Sequence, residues 1–344
     1  MLCVYSSDNQ LHDPVAYIRR GIPIAARESP QRAGELLKAI EDGRHRVVAP
    51  RDFGRAALLD VHDAQYLDFL ATAYDEWQAL SGPKGPVVVA QSYAIRQLRT
   101  CPTSFEGKLG YYLQGNSVPI GSMSWRSILS SANCALEAAD AVLSGAWQSY
   151  ALCRPPGHHA YADLAGGYCY LNNAALAAQY LRRRFARVAI IDVDVHHGNG
   201  TQGIFWQRGD VLTISLHADP NKAYPWHAGY AEERGEGDGS GKTLNIPLPL
   251  GTTDEDYLEA LSALSKPLCD FSPEALVVAL GLDAFEKDSS DLMRITTPGF
   301  GEIGRRLGAV GIPTVIVQEG GYAVDALRSN LASFLAGFLS ARTT

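Results

Sequence analysis

Positive charge is in short supply in this chain. Its 344 residues carry 37 acidic side chains against 30 basic ones, a formal net charge of −7. A nucleic-acid binder normally presents a basic face, so that class is set aside. Long apolar runs are missing too: nowhere do about 18 apolar residues follow one another, the length a helix needs to span a bilayer. The opening MLCVYSSDNQ lacks the basic-then-apolar pattern of a secretion signal. Cysteine is sparse, and Cys3, Cys101, Cys134, Cys153, Cys169 and Cys269 form no CxxC pair, which argues against a disulfide scaffold and a structural zinc knuckle. The expectation is a cytoplasmic protein with reduced thiols and neither a nucleic-acid nor a membrane partner. The acidic balance suits a small cationic partner.

What remains is an ordinary globular composition, 46% hydrophobic and 19% charged, with enough length for a large core. No internal repeat or low-complexity tract interrupts it. Residues 187–195 (RVAIIDVDV), 211–216, 275–280 and 313–317 are nearly continuous apolar runs rich in β-branched side chains. Such runs suit strands buried on both faces of a parallel sheet. Helix-period stretches lie at 127–143, 172–185, 253–264 and 298–307, and Thr253 before Asp254, Glu255 and Asp256 reads as an N-cap with acid in the first turn. The alternation predicts an α/β fold: a single domain over 1–344, built on an open, doubly wound parallel sheet with helices on both faces. Residues 81–125, rich in Gly, Pro and aromatics with weak periodicity, read as an insertion within that domain.

The strongest local signal is DVDVHHGNG at 192–200. If the strand continues, alternation puts Asp192, Asp194 and His196 on one face and Val193 and Val195 on the other. Three polar ligating groups at the end of a buried strand are costly unless something pairs with them, and a metal ion would. Comparable groups follow other apolar runs: Arg154-Pro-Pro-Gly-His158-His159 after YALC, Gly281-Leu-Asp283 after 275–280, and Glu319-Gly-Gly-Tyr322 after 313–317. Ligands of open α/β sheets bind at the carboxyl ends of strands, so these motifs converge on one crevice. Asp194, His196 and Asp283 make a three-ligand metal set with an open position. A metal there lowers the pKa of a bound water to about 7. His158 and His159 are acid/base candidates, and Tyr322 is a candidate donor to a developing oxyanion.

Together with GGYCYLNN at 166–173 and VHDAQY at 61–66, these motifs resemble the histone deacetylase superfamily, in order from near residue 12 to residue 322. The segment 81–125 resembles its acetylpolyamine amidohydrolase branch. The resemblance implies the arginase/deacetylase-like fold and a zinc-dependent hydrolase, with Fe²⁺ the alternative metal in the cell. It implies that Asp194, His196 and Asp283 bind the metal, that His159 is the main base and then acid with His158 assisting, and that Tyr322 polarises the scissile carbonyl. Asp192 pairs with His158 in this reading, and Asn199 stands where many relatives have an aspartate beside the second histidine. Asparagine orients the imidazole without adding an anion, so the imidazole pKa is raised less than an aspartate would raise it. Gly167, Tyr168 and Tyr224 are expected along a tunnel for a slender methylene chain, although ordinary core packing also accounts for such tyrosines. Asp192 and Ser215, with the carbonyl of Leu216, resemble a structural K⁺ site. The arginase-like alternative, with two manganese ions, needs further carboxylates where this chain has Gly198, Ala284 and Phe285.

For the substrate, the resemblance leaves N-acetylated diamines and polyamines, acetyl-lysine in proteins, or another small amide. A non-catalytic acetyl-amide-binding module would normally have lost one of these residues. Glu106 resembles the acid that attracts a polyamine's distant ammonium in this branch; a second such acid has Ser117 in its region, which favours short diamines. The insertion implies a homodimer whose interface narrows the site mouth, with Tyr111, Tyr112, Val118 and Trp125 as its apolar surface.

Overall fold

A computed structural model describes residues 1–19, 22–94 and 100–341. Part of the expected insertion, residues 95–99, lies outside them. The centre is one eight-stranded sheet, parallel throughout, in the order β10-β9-β8-β11-β12-β6-β1-β4. These strands are β1 (Leu2–Val4), β4 (Arg46–Val48), β6 (Gln148–Ala151), β8 (Val188–Asp192), β9 (Val211–Ala218), β10 (Thr243–Leu248), β11 (Ala275–Leu280) and β12 (Thr314–Gln318). Two small pairings stand apart: the antiparallel hairpin of β2 (Ala16–Arg19) and β3 (Ile22–Ala25), and the short parallel pair of β5 (Leu113–Gln114) and β7 (Ala165–Gly166).

The continuous apolar runs have the expected cause. In β8, Val188 and Ile190 enter one core while Ala189 and Ile191 enter the other; in β11, Val277 and Ala279 oppose Leu276, Val278 and Leu280. The first core is closed by α2 (Gly54–Leu59), α3 (Ala64–Ala79), α4 (Phe105–Tyr112), α5 (Ser124–Leu143), α6 (Asn173–Leu181) and α7 (Asn199–Phe205). The second is closed by α1 (Pro30–Asp42), α8 (Asp254–Ser262), α9 (Ser265–Phe271), α10 (Thr297–Gly308) and α11 (Val324–Ser340). At about 1.5–3 kcal/mol for each large aliphatic side chain buried, the central strands are worth more as core than any turn around them. Thr253 does cap α8, in a reciprocal capping box with Asp256. No helix among the described residues is long and apolar enough to cross a membrane.

Two expectations change. The run 187–195 is not strand to its end, because β8 stops at Asp192. Its carboxylate accepts the Asp194 N–H at 3.0 Å, and Asp194 in turn accepts the His196 N–H at 2.9 Å. Each aspartate captures the amide two residues on and pulls the chain out of the ladder. The side chains still alternate, with Val193 and Val195 buried in the second core. The segment 81–125 is also less irregular than its composition indicated, since it holds α4, β5 and the start of α5. Tyr112 and Val118, expected at an interface, are each only 2% exposed and belong to the chain's own core. The surface offered by this segment is instead Tyr93 and Met123, exposed, with Tyr111 and Trp125 half-buried.

Candidate active and metal site

The strand order determines where a site can form. From β8 the chain continues outward to β9 and β10, whereas from β11 it continues the other way to β12. The connections therefore part between β8 and β11, opening a crevice at their carboxyl ends, the switch point at which such sheets bind ligands. Asp194 and His196 follow β8, Asp283 follows β11, and the next strand, β12, leads into Tyr322.

There the three expected ligands meet, with ligand atoms all within 4.8 Å of one another. His196 Nδ1 lies 3.1 Å from a carboxylate oxygen of Asp194 and 3.1 Å from one of Asp283. Each carboxylate is held by backbone: Asp194 also accepts Gly320 N–H at 2.8 Å, and Asp283 accepts Val195 N–H at 3.0 Å. Only glycine fits at 320, since a Cβ there would stand 2.5 Å from carboxylate oxygens of both aspartates. Both aspartates are fully buried. Burial, and then repulsion from Asp194, pushes the Asp283 carboxyl up to about 7; burial works against a charged His196, yet the two carboxylates raise its pKa to about 10. Two carboxylates and an imidazole, desolvated and converging, are a donor set that fits a divalent cation such as zinc.

Beside them stand the paired histidines, ring centroids 4.0 Å apart. His158 Nδ1 donates to Asp192 at 2.9 Å. Burial opposes its charged form, but Asp192 and Asp194 outweigh it and the pKa lies well above the ordinary value. His159 goes the other way: burial first, then the neighbouring His158 and His196, hold its pKa well below. Asn199 Nδ2 donates to the Tyr161 hydroxyl, which leaves its Oδ1 to accept from His159 Nδ1 at 2.6 Å. The Nδ1–H tautomer follows, and His159 Nε2 carries a free lone pair. The loop bearing both histidines is pinned from GGYCYLNN. Asn172 donates to Ala160 O at 2.9 Å while capping α6, and Asn173 donates to Pro155 O at 3.1 Å.

The remaining predicted residues are mostly brought together. Tyr168 stacks on Tyr17 (centroids 4.8 Å) and meets Tyr322 edge-on at 5.7 Å. Tyr224 meets the His159 ring edge-on at 4.8 Å. Gly167 has φ +52°, and a Cβ there would run into the His159 ring, so only glycine lets the chain pass against that imidazole. Asp192 and Ser215 are register partners of β8 and β9, with Leu216 next along β9. Glu106 is not gathered in: it is exposed in the first turn of α4, and no hydrogen bond or ion pair among the described residues joins it to the site.

Sequence reasoning missed the supports of Tyr322. Asp288 accepts the N–H of Tyr322 and of Ala323 at 2.7 and 2.8 Å. Arg32, fully buried on α1, donates to the carbonyls of Glu319 and Gly321 at 2.6 and 2.5 Å and lies 5.0 Å from the Tyr322 ring. Glu28 pairs with both Arg32 and Arg154 at 2.8 Å. Ser29-Pro30 marks the start of α1, but nothing local marks Arg32 as buried. Glu319 accepts the Gly157 and His158 N–H groups at 2.6 and 3.1 Å, tying the histidine loop to the end of β12.

The chain is similar to known proteins over nearly its whole length. The family model described as the histone deacetylase domain matches residues 26–338. The chain is 44% identical over 341 residues to the acetylpolyamine amidohydrolase of Burkholderia pseudomallei, with 98% of each covered. It is 43% identical over 340 residues to that of Mycoplana ramosa, covering 98% of this chain and 99% of the relative. A crystal structure of acetylpolyamine aminohydrolase from Burkholderia pseudomallei superposes with a TM-score of 0.96 at 43% identity, covering 99% of both chains. Domain match, near full-length relatives and a shared fold agree, and the chain belongs to the histone deacetylase domain family.

Proposed function

We propose that this protein hydrolyses N-acetylated diamines and polyamines to acetate and the free amine, using one divalent cation, zinc or ferrous iron in the cell, held by Asp194, His196 and Asp283. The observation that carries this reading is the convergence of that ligand set with a tautomer-fixed His159 at the switch point, in a chain whose near full-length relatives are acetylpolyamine amidohydrolases. A divalent cation bound there supplies Lewis acidity, polarising an amide carbonyl and easing deprotonation of a water. His159 Nε2 takes the proton from the attacking water, and Asn199 keeps the ring aligned. His158, protonated against Asp192 and beside His159, assists electrostatically. Burial, and then the charge of Asp283, keep the Tyr322 hydroxyl protonated, so it donates to the carbonyl oxygen as negative charge gathers there. His159 then passes its proton to the amide nitrogen as the C–N bond breaks, and acetate and amine leave.

Tyr168 and Tyr224 flank the path for the methylene chain, Gly167 leaves room for the base, and Glu106 attracts the distal ammonium. A structural K⁺ takes the Asp192 carboxylate, the Ser215 hydroxyl and the Leu216 carbonyl; the Asp192–Ser215 register supports this. A homodimer through 81–125, offering Tyr93 and Met123, narrows the mouth, and six unpaired cysteines support a cytoplasmic setting. The test is kcat/KM of the zinc-loaded protein on acetylputrescine, acetylcadaverine, acetylspermidine and an acetyl-lysine peptide. The small amines should win by at least about tenfold. Preference for the peptide refutes both the substrate and the narrowed mouth.

A further inference from the structure

Tyr224 and Trp226 sit on the connection between β9 and β10, residues 219–242, a loop that has to hold an aromatic wall against the base. Trp226 is 60% exposed and has φ +64°, a conformation unusual for a bulky residue. Its ring meets Tyr224 edge-on at 5.4 Å, and Tyr224 meets His159 at 4.8 Å. The Tyr224 hydroxyl is buried with no hydrogen-bond partner among the described residues, so polar contacts do not seat that ring. The backbone bonds of Lys222, Ala223 and Trp226 run only to other residues of the same loop.

The attachment lies further along. One carboxylate oxygen of Glu233, Oε2, accepts three N–H groups: Gln202 Nε2 at 2.7 Å, Gly229 N at 2.9 Å and Asn245 Nδ2 at 3.2 Å. Gln202, on α7, has its other amide atom, Oε1, facing Asn245 Nδ2 at 2.8 Å and His197 Nε2 at 3.1 Å. His197 directly follows the ligand His196. Gly229 lies flat on this layer: a Cβ there would stand 2.7 Å from His217 Nε2 and 2.8 Å from His197 Cγ, and its carbonyl accepts from His217 at 2.8 Å. His217 Nε2 therefore points its N–H at that carbonyl. Its Nδ1 is left to accept from the Ser215 hydroxyl at 2.8 Å. Through this one oxygen the loop's own Gly229 N–H is tied to Gln202 on α7 and to Asn245 on β10, a polar joint between the loop and the elements beneath it.

We propose that Glu233 is a positioning residue: it clamps the loop bearing Tyr224 and Trp226 onto the buried amide and imidazole layer behind His196, and so sets the width of the tunnel for a slender substrate chain. This rests on the tunnel reading given above. The bonds converge on one oxygen, so reach matters more than charge. Glu233→Gln can present its amide oxygen at the same point, Glu233→Asp falls one methylene short, and Glu233→Ala presents nothing.

The zinc-loaded variants are compared by steady-state kinetics on acetylputrescine, by metal content, and by amide hydrogen exchange over residues 219–236. Glu233→Asp and Glu233→Ala should raise KM by about tenfold or more, with kcat within about threefold and metal content unchanged, as expected when binding is lost without loss of chemistry. Exchange over 219–236 should speed up in both, and Glu233→Gln should return KM and protection to near the wild-type values. If Glu233→Ala does not fold, Glu233→Asp against Glu233→Gln carries the comparison. Unchanged KM in Glu233→Asp overturns the proposal, and so does a fall in metal content and kcat at constant KM. Should the wild type turn over no acetylated amine, the substrate reading falls by itself. Exchange then decides the clamp alone: faster exchange in Glu233→Asp sustains it and unchanged protection overturns it.

Discussion

Replacing Asn199 by aspartate adds one anion to the site at almost constant shape. In the native chain Asn199 Oδ1 accepts from His159 Nδ1 at 2.6 Å, and its Nδ2 donates to the Tyr161 hydroxyl at 3.2 Å. A carboxylate keeps the first bond, and its second oxygen faces the Tyr161 hydroxyl, a group that can donate as well as accept. Only the charge changes. With charge centres about 4 Å apart and an effective dielectric near 20, Coulomb's law gives about 4 kcal/mol in favour of the imidazolium, an upper bound of about 3 pKa units. Opposite charges this close move pKa values by about 1–3 units. His159 starts depressed by burial and by its two histidine neighbours, so the change is upward. A higher pKa leaves less free base at neutral pH, and the acid limb of the kcat/KM profile should move up by about 1–3 pH units while activity at about pH 7 falls. The assay is the pH profile of zinc-loaded Asn199→Asp and wild type on acetylputrescine, with metal content measured in both. An acid limb within about 0.3 units of wild type, at equal metal content, would refute the assignment of that limb to His159 and the reading of Asn199 as a neutral partner.

Tyr322→Phe should lower kcat by about 10²–10³, the loss expected for one oxyanion donor, and activity above a tenth of wild type removes that role from Tyr322. A pH test of stability comes from His62, which is buried and whose Nε2 accepts the Asn172 N–H at 2.9 Å, so the folded chain keeps it neutral. Burial pulls its pKa down to about 4, whereas the unfolded chain takes up the proton near pH 6.5. Its contribution is therefore whole above about pH 6.5 and drains as the pH falls towards 4, by up to about 1.4 kcal/mol per pH unit. Urea midpoints at pH 7 and pH 5 should lie further apart in wild type than in His62→Gln; equal separations remove His62 from the account.

Much of this molecule was legible in one dimension because its signals are local. The apolar runs at 187–195, 275–280 and 313–317 read as parallel strands without help from the rest of the chain, and the strands found there, 188–192, 275–280 and 314–318, are buried on both faces. A parallel sheet collects all its carboxyl ends on one edge, so the expectation that the segments after β6, β8, β11 and β12 converge could be read from the sequence, and the structure brings Asp194, His196, Asp283, His158, His159 and Tyr322 to that edge. Composition read less well: 81–125 looked irregular, yet Tyr112 and Val118 there are core, because glycine and proline say where a chain turns and not what it packs against.

Tertiary structure alone decided what lies between distant segments. Where β8 stops was settled by two aspartate carboxylates taking amides two residues on, an outcome that strand alternation does not reveal. Arg32 has the pattern of a surface helix residue, and its burial becomes tolerable only because Glu28 pairs with it and the carbonyls of Glu319 and Gly321 arrive from the far end of the chain. Glu233 likewise acquires a role only when Gln202, Gly229 and Asn245 are folded around one of its oxygens. Periodicity and strand-end chemistry are written along the sequence. The partner that makes a buried charge or an orphan amide affordable is a property of which segments meet, and that is settled only when the sheet closes its two cores.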